Sequence, residues 1–175
     1  MGTVVVYFSR AGENYGVGTV EEGNTEVVAR MIADQTGGDL RRIEPVTPYP
    51  AGYEDCTVQA RLEKASGARP PLRNGGPVLT AIDDPIFLGY PIWWEDMPMP
   101  VYTFIEAHDW AGKRVLPFCT SGGSGLSGTD TTLGRLCRGA TVDPGLVLDG
   151  TTAQLRVGTA LAEVRRWLRH RGLYQ

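Results

Sequence analysis

Cysteine and histidine are scarce in this chain of 175 residues, which has three cysteines (Cys56, Cys119, Cys137) without CxxC spacing and two histidines (His108, His170). An odd number of widely separated cysteines argues against a disulfide framework or a zinc site and points to a reducing, cytoplasmic setting. Two histidines leave a histidine-based metal centre almost without ligands. No run of Lys or Arg occurs before the last ten residues, and the net charge is −3. The basic footprint that nucleic-acid binding requires is therefore missing. Long apolar runs are missing too: residues 86–94, the longest, are too few to span a bilayer and contain Gly89 and Pro91. No basic segment precedes the apolar residues 4–8, and Val6 stands where a myristoylation signal wants Ser or Thr. Neither a targeting segment nor a membrane partner is expected.

Hydrophobic residues at 42% and charged residues at 21% match an ordinary globular chain, and the length suits one domain over residues 1–175. Glycine is the excess: 23 residues, clustered in a few segments where the backbone can come close to something.

Residues 4–8, Val-Val-Val-Tyr-Phe, read as a strand buried on both faces of a parallel sheet. Asn24-Thr25 opens a helical pattern with Val27, Val28, Met31 and Ile32 on one side, closed by Gly37-Gly38. Residues 39–44 form a shorter strand, and residues 53–66 a polar helix stopped by Gly67. Residues 85–89 are a third strand, 97–108 a helix with proline in its first turn, and 114–119 a fourth strand. Residues 129–137 form a short helix and 142–148 a fifth strand interrupted by Pro144-Gly145. The final helix carries Leu161, Val164 and Leu168 on one stripe, with Trp167 beside it and arginines covering the rest. Strands alternating with helices imply βαβ units, an α/β doubly wound parallel sheet, and ligands outside the carboxyl ends of the strands.

Three strand-end loops carry the functional signal. The first holds Ser9-Arg10-Ala11-Gly12, an insertion through Glu22, then Gly23-Asn24-Thr25. Small and hydroxyl residues before a helix N-terminus make an anion cradle, although Asn24 or Thr25 can equally be a simple helix cap. Neither a Walker A motif nor a G-x-G-x-x-G fingerprint is present. The second is Gly89-Tyr90-Pro91-Ile92-Trp93-Trp94. Neighbouring tryptophans on a turn cannot easily both point inward, so at least one should face the crevice, where a flat ligand can stack. The third, residues 120–128, has four glycines among nine residues and reads either as a flexible connector or as backbone that approaches a ligand. Cradle, aromatic wall and backbone wall together describe a site for a phosphorylated planar cofactor. Cys119 and Cys137 read as core.

These segments in this order, together with Met97-Pro98-Met99-Pro100 and Pro117-Phe118-Cys119-Thr120-Ser121-Gly122-Gly123-Ser124-Gly125, resemble a bacterial flavodoxin family. The resemblance implies a flavodoxin-like fold with five strands in the order 2-1-3-4-5 and helices on both faces, with FMN at the switch point between strands one and three. It implies that Ser9, Ala11, Asn24 and Thr25 hold the FMN phosphate, that Pro91, Ile92, Trp93 and Trp94 line the ring, and that Ser121, Gly122 and Gly123 meet its other edge. It also implies an electron carrier without a catalytic acid or base, passing low-potential electrons between redox protein partners, as a monomer or weak dimer. The alternative on the same fold is an NAD(P)H-dependent FMN quinone reductase. Two features depart from the family pattern. About ten residues are inserted between Gly12 and Gly23, of which Asn14-Tyr15-Gly16-Val17-Gly18 can either fold over the site or bind a partner, and the net charge is mild for a carrier that docks basic partners. Glu13, Glu21, Glu22, Glu95 and Asp96 are the candidates for a local acidic rim, which with the lack of Lys near the ring would keep the potential low. Ser9-Arg10 and Gly89 stand where the acidic residues of a response-regulator receiver belong, which argues against that reading.

Overall fold

The structure, a computed structural model, describes residues 2–174. Chain order runs β1 (Gly2–Tyr7), β2 (Gly12–Asn14), β3 (Gly18–Val20), α1 (Asn24–Thr36), β4 (Asp39–Arg42), α2 (Tyr53–Ser66), β5 (Asp83–Pro91) and α3 (Met99–Glu106). It continues through β6 (Arg114–Ser121), α4 (Thr129–Leu136), β7 (Thr141–Val142), β8 (Leu146–Asp149), α5 (Gly150–Leu155) and α6 (Val157–His170). The central sheet is parallel in the order β4-β1-β5-β6, with β7 and β8 both on the far side of β6. The chain therefore has the α/β doubly wound, flavodoxin-like topology in the expected order, with its fifth strand in two pieces.

Side-chain alternation along the strands divides the core in two. Val4, Val6, Ile86, Leu88 and Tyr90 face Val101, Phe104 and Leu133 on one side of the sheet. Val5, Tyr7, Phe87, Leu116 and Phe118 face Val28, Ile32, Val164 and Trp167 on the other. Residues buried on both faces explain why the strands read as unbroken apolar runs. Cys119 and Cys137 belong to the first core, where burial pushes each thiol up to about 12. At the centre of the sheet Gly89 makes room for an aromatic neighbour: a Cβ there would lie 2.1 Å from a ring carbon of Phe118.

The third and fourth strands run two residues further at their carboxyl ends than the periodicity expects, and three other features differ. The helix expected over 97–108 is confined to α3, because Pro98 stands extended at its cap (φ −56°, ψ 145°). The strand expected over 142–148 divides where Pro144 cannot donate to the ladder. Asp143 there pairs with Arg114 at 2.6 Å, and Trp167 Nε1 donates to the Pro144 carbonyl. The insertion after Gly12 is the antiparallel hairpin β2–β3.

At the opposite end of the sheet, Arg41 donates to both carboxylate oxygens of the buried Asp83 (2.7 and 3.2 Å), whose other bond comes from Thr80 N. The guanidinium holds this carboxyl at about 2, below its ordinary 3.8. A depressed folded-state value contributes stability above the unfolded value and loses it as the pH falls through the folded one. We expect stability to decline between about pH 4 and pH 2, with about 2 kcal/mol of the loss absent in Asp83→Asn. Urea titrations across that range check it, and parallel curves for both proteins would contradict it.

Candidate functional site

The carboxyl ends of β1, β5, β6 and β8 open into one cavity of about 760 Å3, within the range of small-molecule sites of about 300–1,000 Å3. Of the residues singled out from the sequence, Asn24, Pro91, Ile92, Trp93, Trp94, Ser121 and Gly122 line it. Ser9, Ala11, Thr25 and Gly123 do not, and the first and third of these act from behind the wall. Ser9 Oγ accepts from Glu26 N (3.1 Å), performing the capping that a side chain at the helix start would otherwise perform. The cap residue of α1 is Gly23 and no side chain of the cap itself is used, so the reading of Asn24 or Thr25 as a simple cap is set aside. Thr25 Oγ1 lies 2.8 Å from Thr120 Oγ1, which lines the cavity.

This end of the cavity is rich in unused donors. The N–H groups of Asn24 and Thr25, at the open end of α1, find no acceptor among the described residues. The Asn24 amide accepts from Gln154 through Oδ1 (3.0 Å) while its Nδ2 donates to no described residue. The Thr25–Thr120 pair holds two hydroxyl hydrogens and uses one between them, so the other remains free. Helix N-termini with such donors favour anions. The approach is closed to larger residues: a Cβ on Gly150 would lie 2.3 Å from Asn24 Nδ2, and one on Gly23 would lie 2.2 Å from Ser9 Oγ. The donor set and the close backbone fit a phosphate monoester.

The other end is aromatic. Trp93 packs edge-on against Phe8 (5.3 Å between centroids) and Tyr49 (5.0 Å). Trp94 is 46% exposed and turns toward α2, its Nε1 donating to Thr57 O (2.8 Å) with the Arg61 guanidinium 5.7 Å from its ring centroid. Trp93 N and Asp96 N exchange hydrogen bonds with each other's carbonyls, and Trp94 and Glu95 fill the tight turn between with φ of 53° and 60°. Bulky residues rarely hold that conformation, and backbone strain of this kind collects at ligand sites. The glycine-rich third loop is anchored below: Tyr90 donates to Thr129 Oγ1 (2.8 Å), which donates to Leu126 O (2.7 Å).

Several lining groups escaped sequence reasoning. Tyr53, Cys56, Thr57 and Ala60 form a wall from α2, beside Asn14 and Tyr15 of the insertion, for which the sequence left open a fold over the site, and Asp149, Gly150 and Thr151 carry β8 into α5. The last three stand at a strand's carboxyl end, a signal the sequence carries. Arg10, in the wall, spends its guanidinium on the carbonyls of Glu13, Pro50, Ala51 and Gly52 and pairs with no described carboxylate. The acidic rim is largely consumed internally. Glu22 pairs with Arg30 (2.6 Å), Asp96 accepts from Tyr102 and from Met97 N, and Glu13 accepts from Tyr53 N. Arg10 in the wall and Lys64 donating to the Trp94 carbonyl correct the expected lack of lysine near the ring. Among the described residues no group of three or more His, Cys, Asp or Glu is placed to hold a metal, and no helix is long and apolar enough to cross a membrane.

Comparison with known proteins supplies a family. The flavodoxin family model matches residues 3–164. A protein from Bacteroides uniformis assigned as a flavoprotein superposes with a TM-score of 0.73 at 29% identity, covering 96% of this chain and 97% of its own. Another so assigned, from Bacteroides eggerthii, gives 0.70 at 28% identity, covering 97% and 96%. A flavoprotein of Lactobacillus acidophilus, solved in complex with FMN, gives 0.59 at 20% identity over 86% of this chain and 94% of that one. None of the curated proteins matches significantly.

Proposed function

Because the chain belongs to the flavodoxin family, we propose that it is an FMN-binding electron-transfer protein, passing electrons between a reductase and an acceptor enzyme in the cytoplasm. The observation that carries this reading is the single cavity with free donors at the α1 end and tryptophans at the other. Asn24, the free hydroxyl of the Thr25–Thr120 pair and the first N–H groups of α1 hold the phosphate, with Ser9 keeping the helix end in place. Ile92, Trp93 and Trp94 take the ring, and the backbone at Ser121 and Gly122 meets its edge. Bound FMN supplies the redox chemistry, accepting and releasing electrons; the side chains bind, orient and exclude water. Among the described residues lining the cavity, the one carboxylate, Asp149, is occupied in accepting from Thr152 N, which leaves a binding role rather than acid–base work.

A second reading is an NAD(P)H-dependent FMN reductase acting on quinones. It is favoured by one observation: the cavity continues past Trp93 and Trp94 to Tyr53, Cys56 and Ala60 on α2, a second wall against which another flat molecule can lie. An anaerobic absorbance titration of FMN-loaded, desalted protein with NADPH separates the two. We expect flavin absorbance to survive desalting and to persist after NADPH is added. Its loss within seconds of adding NADPH would make the protein a reductase, and its loss on desalting would remove FMN from the account.

A further inference from the structure

The β2–β3 hairpin is held by polar groups at its base and by rings at its tip. At the base Glu13 N donates to Ala51 O (3.0 Å), the Glu13 carboxylate accepts from Tyr53 N, and Asn14 Nδ2 donates to the carbonyls of Arg10 and Gly12 (both 3.1 Å). Arg10 ties the same base to the loop before α2. Residues 15–17 make no hydrogen bond outside the hairpin among the described residues. Their contacts reach three other parts of the cavity wall without a hydrogen bond. The Tyr15 ring lies 6.4 Å from that of Tyr53 on α2, tilted by 35°. On its other side it rests on Gly122, where an added Cβ would stand 3.2 and 3.4 Å from two ring carbons. Beside it, a Cβ on Gly16 would lie 3.4 Å from Thr151 Oγ1, in the first turn of α5. Tyr15 lines the cavity, yet its side is open to water, at 69% exposure.

An anchored base and a tip held by packing without hydrogen bonds describe a hinge and a latch. We propose that the hairpin is a strap across the cofactor cavity, that Tyr15 seated on Gly122 is its latch, and that unlatching governs how fast FMN enters and leaves. The inference rests on the FMN reading above. A strap slows both directions, whereas a simple contact slows only departure; the ratio of the two effects is therefore diagnostic.

The test is stopped-flow flavin fluorescence on the full chain, with FMN association to apoprotein and its displacement measured separately. In Tyr15→Ala both rates are expected to rise about tenfold while Kd changes less than about threefold, and Tyr15→Phe, which keeps the ring, retains the wild-type rates. Tyr53→Ala removes the α2 ring beside which Tyr15 stands, and is expected to accelerate both rates in the same direction. This second variant keeps the test alive if Tyr15→Ala does not fold. Unchanged rates in both variants, or faster dissociation with unchanged association, would overturn the strap while leaving FMN binding intact. Failure of the wild-type protein to bind FMN at micromolar concentration would overturn both readings together.

Discussion

Replacing Gly23 by Ala is expected to weaken FMN binding by about a hundredfold, a cost of about 2.7 kcal/mol, and to weaken riboflavin binding far less. The backbone there is extended (φ −66°, ψ 157°), so alanine is not opposed by its dihedral angles. The obstacle is space. A Cβ would lie 2.2 Å from Ser9 Oγ and 2.5 and 2.8 Å from the carbonyl oxygen and carbon of Arg10. The hydroxyl can rotate away only by giving up its bond from Glu26 N, and the carbonyl cannot rotate at all without moving the loop. The two halves of the cradle, residues 9–12 and the start of α1, must then separate. Parallel fluorescence titrations with FMN and riboflavin check this. Equal weakening of both ligands would place the damage in the fold rather than at the phosphate.

Arg10→Ala is expected to lower the stability of the apoprotein by about 3 kcal/mol, since hydrogen bonds to a charged group contribute roughly 1.5–3 kcal/mol each and their effects overlap. Its guanidinium collects four backbone carbonyls, those of Glu13, Pro50, Ala51 and Gly52, at 2.6–3.2 Å. Ala51 O keeps its bond from Glu13 N and Gly52 O its bond from Cys56 N, but Pro50 O has no other described donor, so the loop before α2 loses its main tie to Arg10 and the hairpin base. Lysine should restore little, because a compact ammonium cannot reproduce the planar fork. Urea unfolding measures the loss, and proteolytic nicking within residues 45–52 reports where it occurs. A change below about 0.5 kcal/mol would mean that water satisfies those carbonyls as well as Arg10 does.

Local chemistry accounts for what was legible. Val4, Val5 and Val6 are fully buried between two helical layers, so their unbroken apolar run could signal a two-sided strand. Gly37 ends α1 with a left-handed φ of 68°, a conformation that a neighbouring-residue argument can anticipate. Proline at 98 and 144 marks breaks, though the extent of the break depends on partners: Pro98 stands extended at the cap of α3, and Pro144 meets Trp167 from a helix 23 residues away. The strand-end loops at Asn24, residues 91–94 and Ser121-Gly122 could be located because parallel sheets place ligands at strand carboxyl ends. The junction of β8 with α5 obeys the same rule and was hidden by the interruption in its strand.

By itself, then, the sequence determined the alternation of strands and helices, the two-sided core, the glycine-bounded helix ends and the position of three cavity walls. Each rests on a property of neighbouring residues: side-chain period, a missing N–H, or a missing Cβ. Only the tertiary structure decided that Arg10 serves carbonyls some 40 positions away, that Tyr15 reaches Gly122, and that α2 turns Cys56 and Ala60 toward the cavity. It also decided that most of the suspected acidic rim is spent on Arg30, Tyr102 and backbone N–H groups. Such contacts join residues distant in the chain, and backbone carbonyls, which every residue carries, leave no mark in an amino-acid sequence.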